Sequence, residues 1–181
     1  KKDKPAGINI DIAFDQSTFI KESIDDVSRH IILGGLLAVI IIFFFLRSFT
    51  STIISAIAIP ASVIATFAIM YLFGFTRNNM TMLALSLSVG MLIDDAIVVL
   101  ENIFRHMEEG MKSTEAAHFA TSEIGLAVMA TTMSIVSVFI PVAFMSGIVG
   151  RFFYEFGVTV STAVLISLLV SFTLTPMLCS R

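Results

Sequence analysis

Apolar residues run along this chain in long blocks separated by short polar breaks. Stretches free of Asp, Glu, Lys and Arg cover residues 30–46, 48–76, 78–93, 124–150 and 156–180. Crossing the hydrocarbon layer of a bilayer takes about 20 residues of helix. The third stretch falls short only because Asp94 and Asp95 interrupt it, and the apolar run resumes at once as AIVVL. Residues 80–100 therefore form one span. The pattern predicts five transmembrane helices, over about residues 28–46, 52–73, 80–100, 124–145 and 156–178. An odd number of spans puts the two ends on opposite faces of the membrane.

Ahead of the first span the period is different. Ile8, Ile10, Ile12 and Phe14 alternate with Asn9, Asp11, Ala13 and Asp15, the rhythm of a half-buried strand. One such strand needs partner strands from elsewhere. Ser17 or Thr18 is placed to cap a following helix, and Phe19 to His30 carries mixed charge, so this helix is expected to enter the membrane from water. Residues 1–18 thus read as the end of a non-membrane domain and 19–181 as the membrane domain. The start has neither the apolar core nor the cleavage site of a signal peptide and reads as an internal excerpt. The longest connection between spans is Glu101 to Glu123, where Ser113 is expected to cap a separate helix over residues 113–122 at the membrane surface.

Composition supports the bilayer as solvent, with 56% hydrophobic and 14% charged residues. The net charge of -3 and the lack of a Lys/Arg cluster give no surface for nucleic acid and no polybasic lipid anchor. Cys179 is the only cysteine, which excludes an internal disulfide and a thiol cluster for zinc or iron–sulfur binding. Flanking charge does not orient the bundle: Arg47, Arg105, Lys112 and Arg181 lie on one side, Lys21, Arg29, Arg77 and Arg151 on the other. Pro60, Pro141 and Pro176 fall within the spans, where each removes a backbone donor that neighbours must make good. Gly34, Gly35, Ser86, Ser88 and Gly90 are small residues of the kind that let helices approach closely in lipid.

Asp94 and Asp95, in SVGMLIDDAIVVLEN, are the only ionisable residues inside a span. A carboxylate at a helix centre costs roughly 2.5–3.5 kcal/mol on insertion scales, and intramembrane acids are functional by default. Adjacent helix positions point about 100° apart, so Asp94 continues the stripe Ser86, Gly90 while Asp95 continues Ala84, Ser88, Met91. The pair can address two neighbouring helices, and two carboxylates side by side titrate as one coupled proton site. The plainer alternative is that they hold helices together by hydrogen bonds.

No metal is expected, because no His or Cys within the spans completes a coordination shell. His30, His106 and His118 fall near the boundaries and read as solvated interfacial histidines. For Glu101 and Asn102, just beyond the pair, capping or solvation and a proton exit path remain equally open. No phosphate-cradling loop and no nucleophile–base grouping occurs, so neither a nucleotide cofactor nor an enzyme activity is expected.

The chain resembles the resistance-nodulation-division (RND) transporters, most closely the hydrophobe/amphiphile efflux branch. The resemblance rests on GFTRNNMTMLALSLSVGMLIDDAIVVLENIFRHMEEG, on VFIPVAFMSGIVGRFFYEF and on LTPMLCS, in the family's order and spacing. It implies an all-α membrane protein: a five-helix transmembrane bundle, half of an RND transmembrane domain, preceded by a short β-strand from a periplasmic porter subdomain. The spans would be the second to sixth helices of the first repeat. The start and the loops at residues 74–79 and 146–155 would face the periplasm, while 47–51, 101–123 and Arg181 would face the cytoplasm.

The resemblance further implies a proton antiporter exporting hydrophobic or amphiphilic compounds, with Asp94 and Asp95 as the proton relay. Their charged partners would lie on second-repeat helices outside this chain, and Ser86, Ser88 and Gly90 would pack near the relay. The parent would be a homotrimer in the bacterial inner membrane, surrounded by lipid and joined to a periplasmic adaptor and an outer-membrane channel. Arg77 departs from the family, which usually places an apolar residue before the position of Asn78; it reads as a solvated loop charge. Heavy-metal exporters and secretion or sensing modules share the fold, but usually with a single acid, so the doubled acid favours organic substrates.

Overall fold

A computed structural model describes residues 16–46 and 48–180 as five long helices: α1 (Gln16–Leu46), α2 (Phe49–Leu72), α3 (Asn79–Glu108), α4 (Ser113–Ala143) and α5 (Gly147–Cys179). The expected strand over residues 8–14 lies outside the described residues. Each helix is long and apolar enough to cross a membrane. At about 1.5 Å per residue, the 31 residues of α4 extend about 46 Å, well beyond a hydrocarbon layer of about 30 Å. The helix therefore has length to spare beyond that layer, and its charged residues, Glu115 and Glu123, lie towards its first end.

Two expected boundaries are corrected. Ser17 and Thr18 lie inside α1 rather than capping it, because the mixed-charge segment and the first span form one uninterrupted helix. The separate surface helix over 113–122 is instead the beginning of α4, which passes through Glu123 without a break. Nothing in STEAAHFATSEIG breaks a helix, since its one glycine is tolerated in an interior and no proline follows until Pro141. Ser113 is the first residue of α4, and its hydroxyl donates across to the Ser180 carbonyl on α5 at 3.4 Å.

Local chemistry fixes the ends of α3 firmly. Asn78 Oδ1 accepts from the Met80 and Thr81 N–H groups at 2.9 and 3.0 Å, while the Thr81 hydroxyl accepts from the Asn78 N–H at 3.0 Å. Such a reciprocal capping box satisfies orphan donors at both ends of the first turn. At the other end Gly110 takes φ 97, and the Met111 and Gly110 N–H groups donate back to the carbonyls of His106 and Met107, both at 3.1 Å. Gly74, with φ 71, ends α2 in the same manner. A left-handed residue that closes a helix in this way is nearly always glycine.

Among the described residues α3 is the hub, the only helix that packs against all four others. Three apolar clusters surround it. Val89 and Ile93 pack with Ile42 of α1 and Ile59 of α2. Ala84 packs with Val160 and Val164 of α5, flanked by Ile135 and Phe139 of α4. Val99, Leu100 and Ile103 pack with Ile54, Ala116, Ala117, Ala120 and Cys179.

α4 and α5 approach each other closely at Gly157. A Cβ on Gly157 would stand 2.8 Å from both the Ala143 nitrogen and the Phe139 carbonyl oxygen. Among the described residues, a Cβ on Gly34, Gly35 or Gly90 would by contrast meet nothing within 4 Å.

Candidate functional site

Asp94 and Asp95 sit at the midpoint of α3, between the apolar clusters, and the helix sends them to different surroundings. Asp94 is exposed, within a stripe of exposed residues at helical spacing: Leu83, Leu87, Gly90, Asp94, Val98, Glu101, Arg105 and Glu108. Four, three and four positions apart, these lie on one face. None of the described helices covers it.

Asp95 is 8% exposed, on the buried stripe that runs Ala84, Ser88, Asp95, Val99, Asn102 and His106. Its Oδ2 is buried and finds no hydrogen-bond partner among the described residues. Unpaired polar atoms buried in low dielectric cost more than those in contact with water, and each calls for an explanation. Ser167 of α5 sets its hydroxyl beside this carboxyl. Ser167 is itself buried and donates to the Leu92 carbonyl at 3.0 Å. A hydroxyl carries one proton, so a bond given to the Leu92 carbonyl leaves the oxygen of Ser167 free to accept from a protonated Asp95.

Of the other residues singled out from sequence, Ser88 is buried and satisfied locally, donating to the Ala84 carbonyl at 2.7 Å. Ser86 is half-buried and Gly90 exposed. Arg77 is exposed in its loop, as expected.

His106 overturns its reading as a solvated interfacial residue: it is 6% exposed and lies between two carboxylates. Its Nδ1 stands 3.2 Å from Glu109 Oε2 and its Nε2 2.9 Å from Glu123 Oε2. His30 and His118 are exposed. Asn102 is also buried, donating to the Ala120 carbonyl and to Glu123 Oε2, both at 3.0 Å, which ties α3 to α4. At the opposite end of α3, Asn78 donates to Glu155 of α5 at 2.5 Å.

Ser167 and Glu155 have no signal in the sequence that links them to α3. They lie 75 and 77 residues from their partners, and only the parallel packing of α3 and α5 brings them together. Among the described residues, no group of three or more His, Cys, Asp or Glu could hold a metal ion.

Paired acids at the hub, one buried and unpaired and one on an open face, point to a chain made to work against further helices. The model of the AcrB/AcrD/AcrF family matches residues 1–181. The chain belongs to the AcrB/AcrD/AcrF family. Its relatives include the multidrug resistance protein MdtC of Pectobacterium atrosepticum, 49% identical over 177 residues, and that of Escherichia coli O139:H28, 50% identical over 175. MdtC of Pantoea ananatis is 47% identical over 176 residues. These matches take in 97–98% of this chain but 17% of each relative, so the chain spans about one sixth of their length. Membership bears out the RND resemblance read from the paired-acid helix. With five apolar helices, this AcrB/AcrD/AcrF segment is a multi-pass part of a bacterial inner-membrane protein.

Proposed function

We propose that this chain is the first-repeat helical core of an RND permease that exports hydrophobic or amphiphilic compounds in exchange for protons. Asp94 and Asp95 form the acidic half of its relay. The observation that carries the reading is the divided environment of the pair. Asp95 is enclosed with an unpaired Oδ2, and Asp94 lies on a continuous uncovered face of α3. Two adjacent acids, one held by this bundle and one offered to a partner, form a coupled site whose charge depends on what the partner presents.

In this reading second-repeat helices of the parent chain cover the part of that stripe from Leu83 to Asp94 and bring a cation to Asp94, leaving the charged end with Glu101, Arg105 and Glu108 open. Protonation of the pair releases that cation, the helices re-pack, and the change passes through α1 to the porter domain. The names of the relatives, multidrug resistance proteins, favour organic compounds over metal ions as cargo. A homotrimer joined to a periplasmic adaptor and an outer-membrane channel completes the proposal.

The test is drug susceptibility of cells carrying the full-length parent with Asp94→Asn or Asp95→Asn, at matched membrane abundance. Each change is expected to abolish resistance. Wild-type resistance in both variants overturns the relay.

A further inference from the structure

The buried stripe that carries Asp95 also carries Asn102 and His106, and both are spent on α4. Glu123 is the focus. Its Oε2 receives Asn102 Nδ2 at 3.0 Å, an Arg105 guanidinium nitrogen at 3.2 Å and His106 Nε2 at 2.9 Å. On its other side His106 Nδ1 meets Glu109 Oε2 at 3.2 Å, and its ring stands edge-on to Phe119 of α4, with centroids 5.1 Å apart.

An ionised carboxylate only accepts hydrogen bonds. With a carboxylate at each ring nitrogen, His106 must donate from both, and only the imidazolium can do so. Arg105 also lies 3.4 Å from Nε2. The shorter contact, 2.9 Å to an oxygen that can only accept, assigns Nε2 as a donor. With His106 protonated, Arg105 and His106 balance Glu109 and Glu123. Loss of that proton turns one nitrogen's lone pair toward a carboxylate and leaves a net negative charge.

Among the described residues, α4 also carries Glu115 and His118, both exposed and neither bonded to His106, and the charged residues of α1, Lys21 to Arg29, precede the part of that helix packed on α3. α2 has no charged residue, and the charged residues of α5 among those described, Arg151 and Glu155, lie near its opposite end. Protons can reach the cluster, since a cleft of about 420 Å³ opens beside it, lined by Glu101, Asn102, Arg105, Glu108 and Ile124 among others.

The geometry points to His106 and Glu123 as positioning residues that fasten the end of the acid-bearing helix to α4 while His106 is protonated and loosen it when that proton leaves. From Asp95 to His106 is eleven residues, about 17 Å along one rigid helix. Loosening at His106 therefore frees Asp95 to shift against Ser167. The cluster makes the relay sensitive to pH on the side where α3 ends, the cytoplasmic side in the reading above, on which this inference rests.

The test uses the full-length permease with spin labels at exposed Glu108 and Ser122, and with its native cysteines, Cys179 among them, replaced by Ser. The label-to-label distance is expected to broaden as pH rises from about 5.5 to about 8, the range in which histidine changes charge. His106→Gln and Glu123→Gln are each expected to show the broad distribution at every pH. Glu123→Gln keeps size and hydrogen bonding, so it reads the charge should His106→Gln fold poorly.

In vesicles, wild-type efflux is expected to change roughly two- to fivefold over the same interval of internal pH, and Glu123→Gln efflux to stay flat. A pH-dependent distance that persists in both variants, or a wild-type distance that ignores pH, overturns the inference. Failure of the relay is seen separately, as efflux that survives Asp94→Asn and Asp95→Asn, and leaves the distance measurement intact.

Discussion

Ser167 of α5 gives its hydroxyl proton to the carbonyl of Leu92 on α3, three residues ahead of Asp95. This is a bond between helices, made by a side chain to a backbone oxygen that also sits in the α3 ladder. Ser167→Ala is expected to cost about 1 kcal/mol, the net worth of one buried hydrogen bond, because the Leu92 carbonyl keeps its helical partner. Thermal unfolding of the purified parent in detergent measures the loss. Efflux should fall more than stability does, since Asp95 loses the hydroxyl set beside it.

Gly157 and Gly90 predict opposite outcomes for the same change. Gly157→Ala drives a methyl against the backbone of α4 at 2.8 Å and is expected to destabilise by about 1–3 kcal/mol, as overpacking does. Gly90→Ala meets nothing among the described residues. Isolated five-helix segments should tolerate it, and a loss of efflux in the full-length permease would show how closely a neighbour approaches there.

Asn78 both caps α3 and bonds to Glu155. Asn78→Ala is expected to cost about 1–2 kcal/mol, the upper range for loss of a cap. Hydrogen exchange should show the effect as fraying of the first turn of α3, with the Gly110 end still protected.

Thr175 is fully buried on α5, and its hydroxyl has no partner. Thr175→Val keeps the shape and removes the unpaired oxygen, so stability should rise by up to about 1 kcal/mol. A drop of that size instead would show that the hydroxyl is engaged in the full-length protein.

Glu123 stands at the head of the apolar part of α4. The hydrogen bond from His106, then that from Asn102, holds its carboxyl below the usual carboxylate range. The unfolded chain binds that proton more readily, so the stabilisation from Glu123 is complete above the ordinary carboxylate range and is lost as pH falls through the lowered value. Hydrogen exchange at the α3–α4 junction should accelerate in strong acid, and Glu123→Gln should remove that acid branch.

The five spans and the acid pair were legible from the sequence because each is a local signal: length without charge, or charge within such a length. The two faces of α3 could also be read from the 100° step between neighbours. Which face was buried could not, since that depends on where α5 lies. His106 was misread for a similar reason. Its position near a span end suggested water, but Glu123, seventeen residues on, returns beside it when α4 folds back along α3. Gly157 carried no local mark distinguishing it from Gly34 or Gly35, whose surroundings are open. Spacing along a helix tells which residues share a face, and only the neighbouring helix decides what that face does.

α4 carries at one end the carboxylate that gathers Asn102, Arg105 and His106, and near the other the backbone pressed against Gly157, with no break between them. A rod so held behaves as a lever, with the glycine contact as its fulcrum. When the charged end swings, the far end must tilt or slide over α5 or bend at Pro141, which lies between the two residues in contact with Gly157. The loop at 144–146, on the opposite side of the membrane, is thus the place where a proton lost from one imidazole would register as movement.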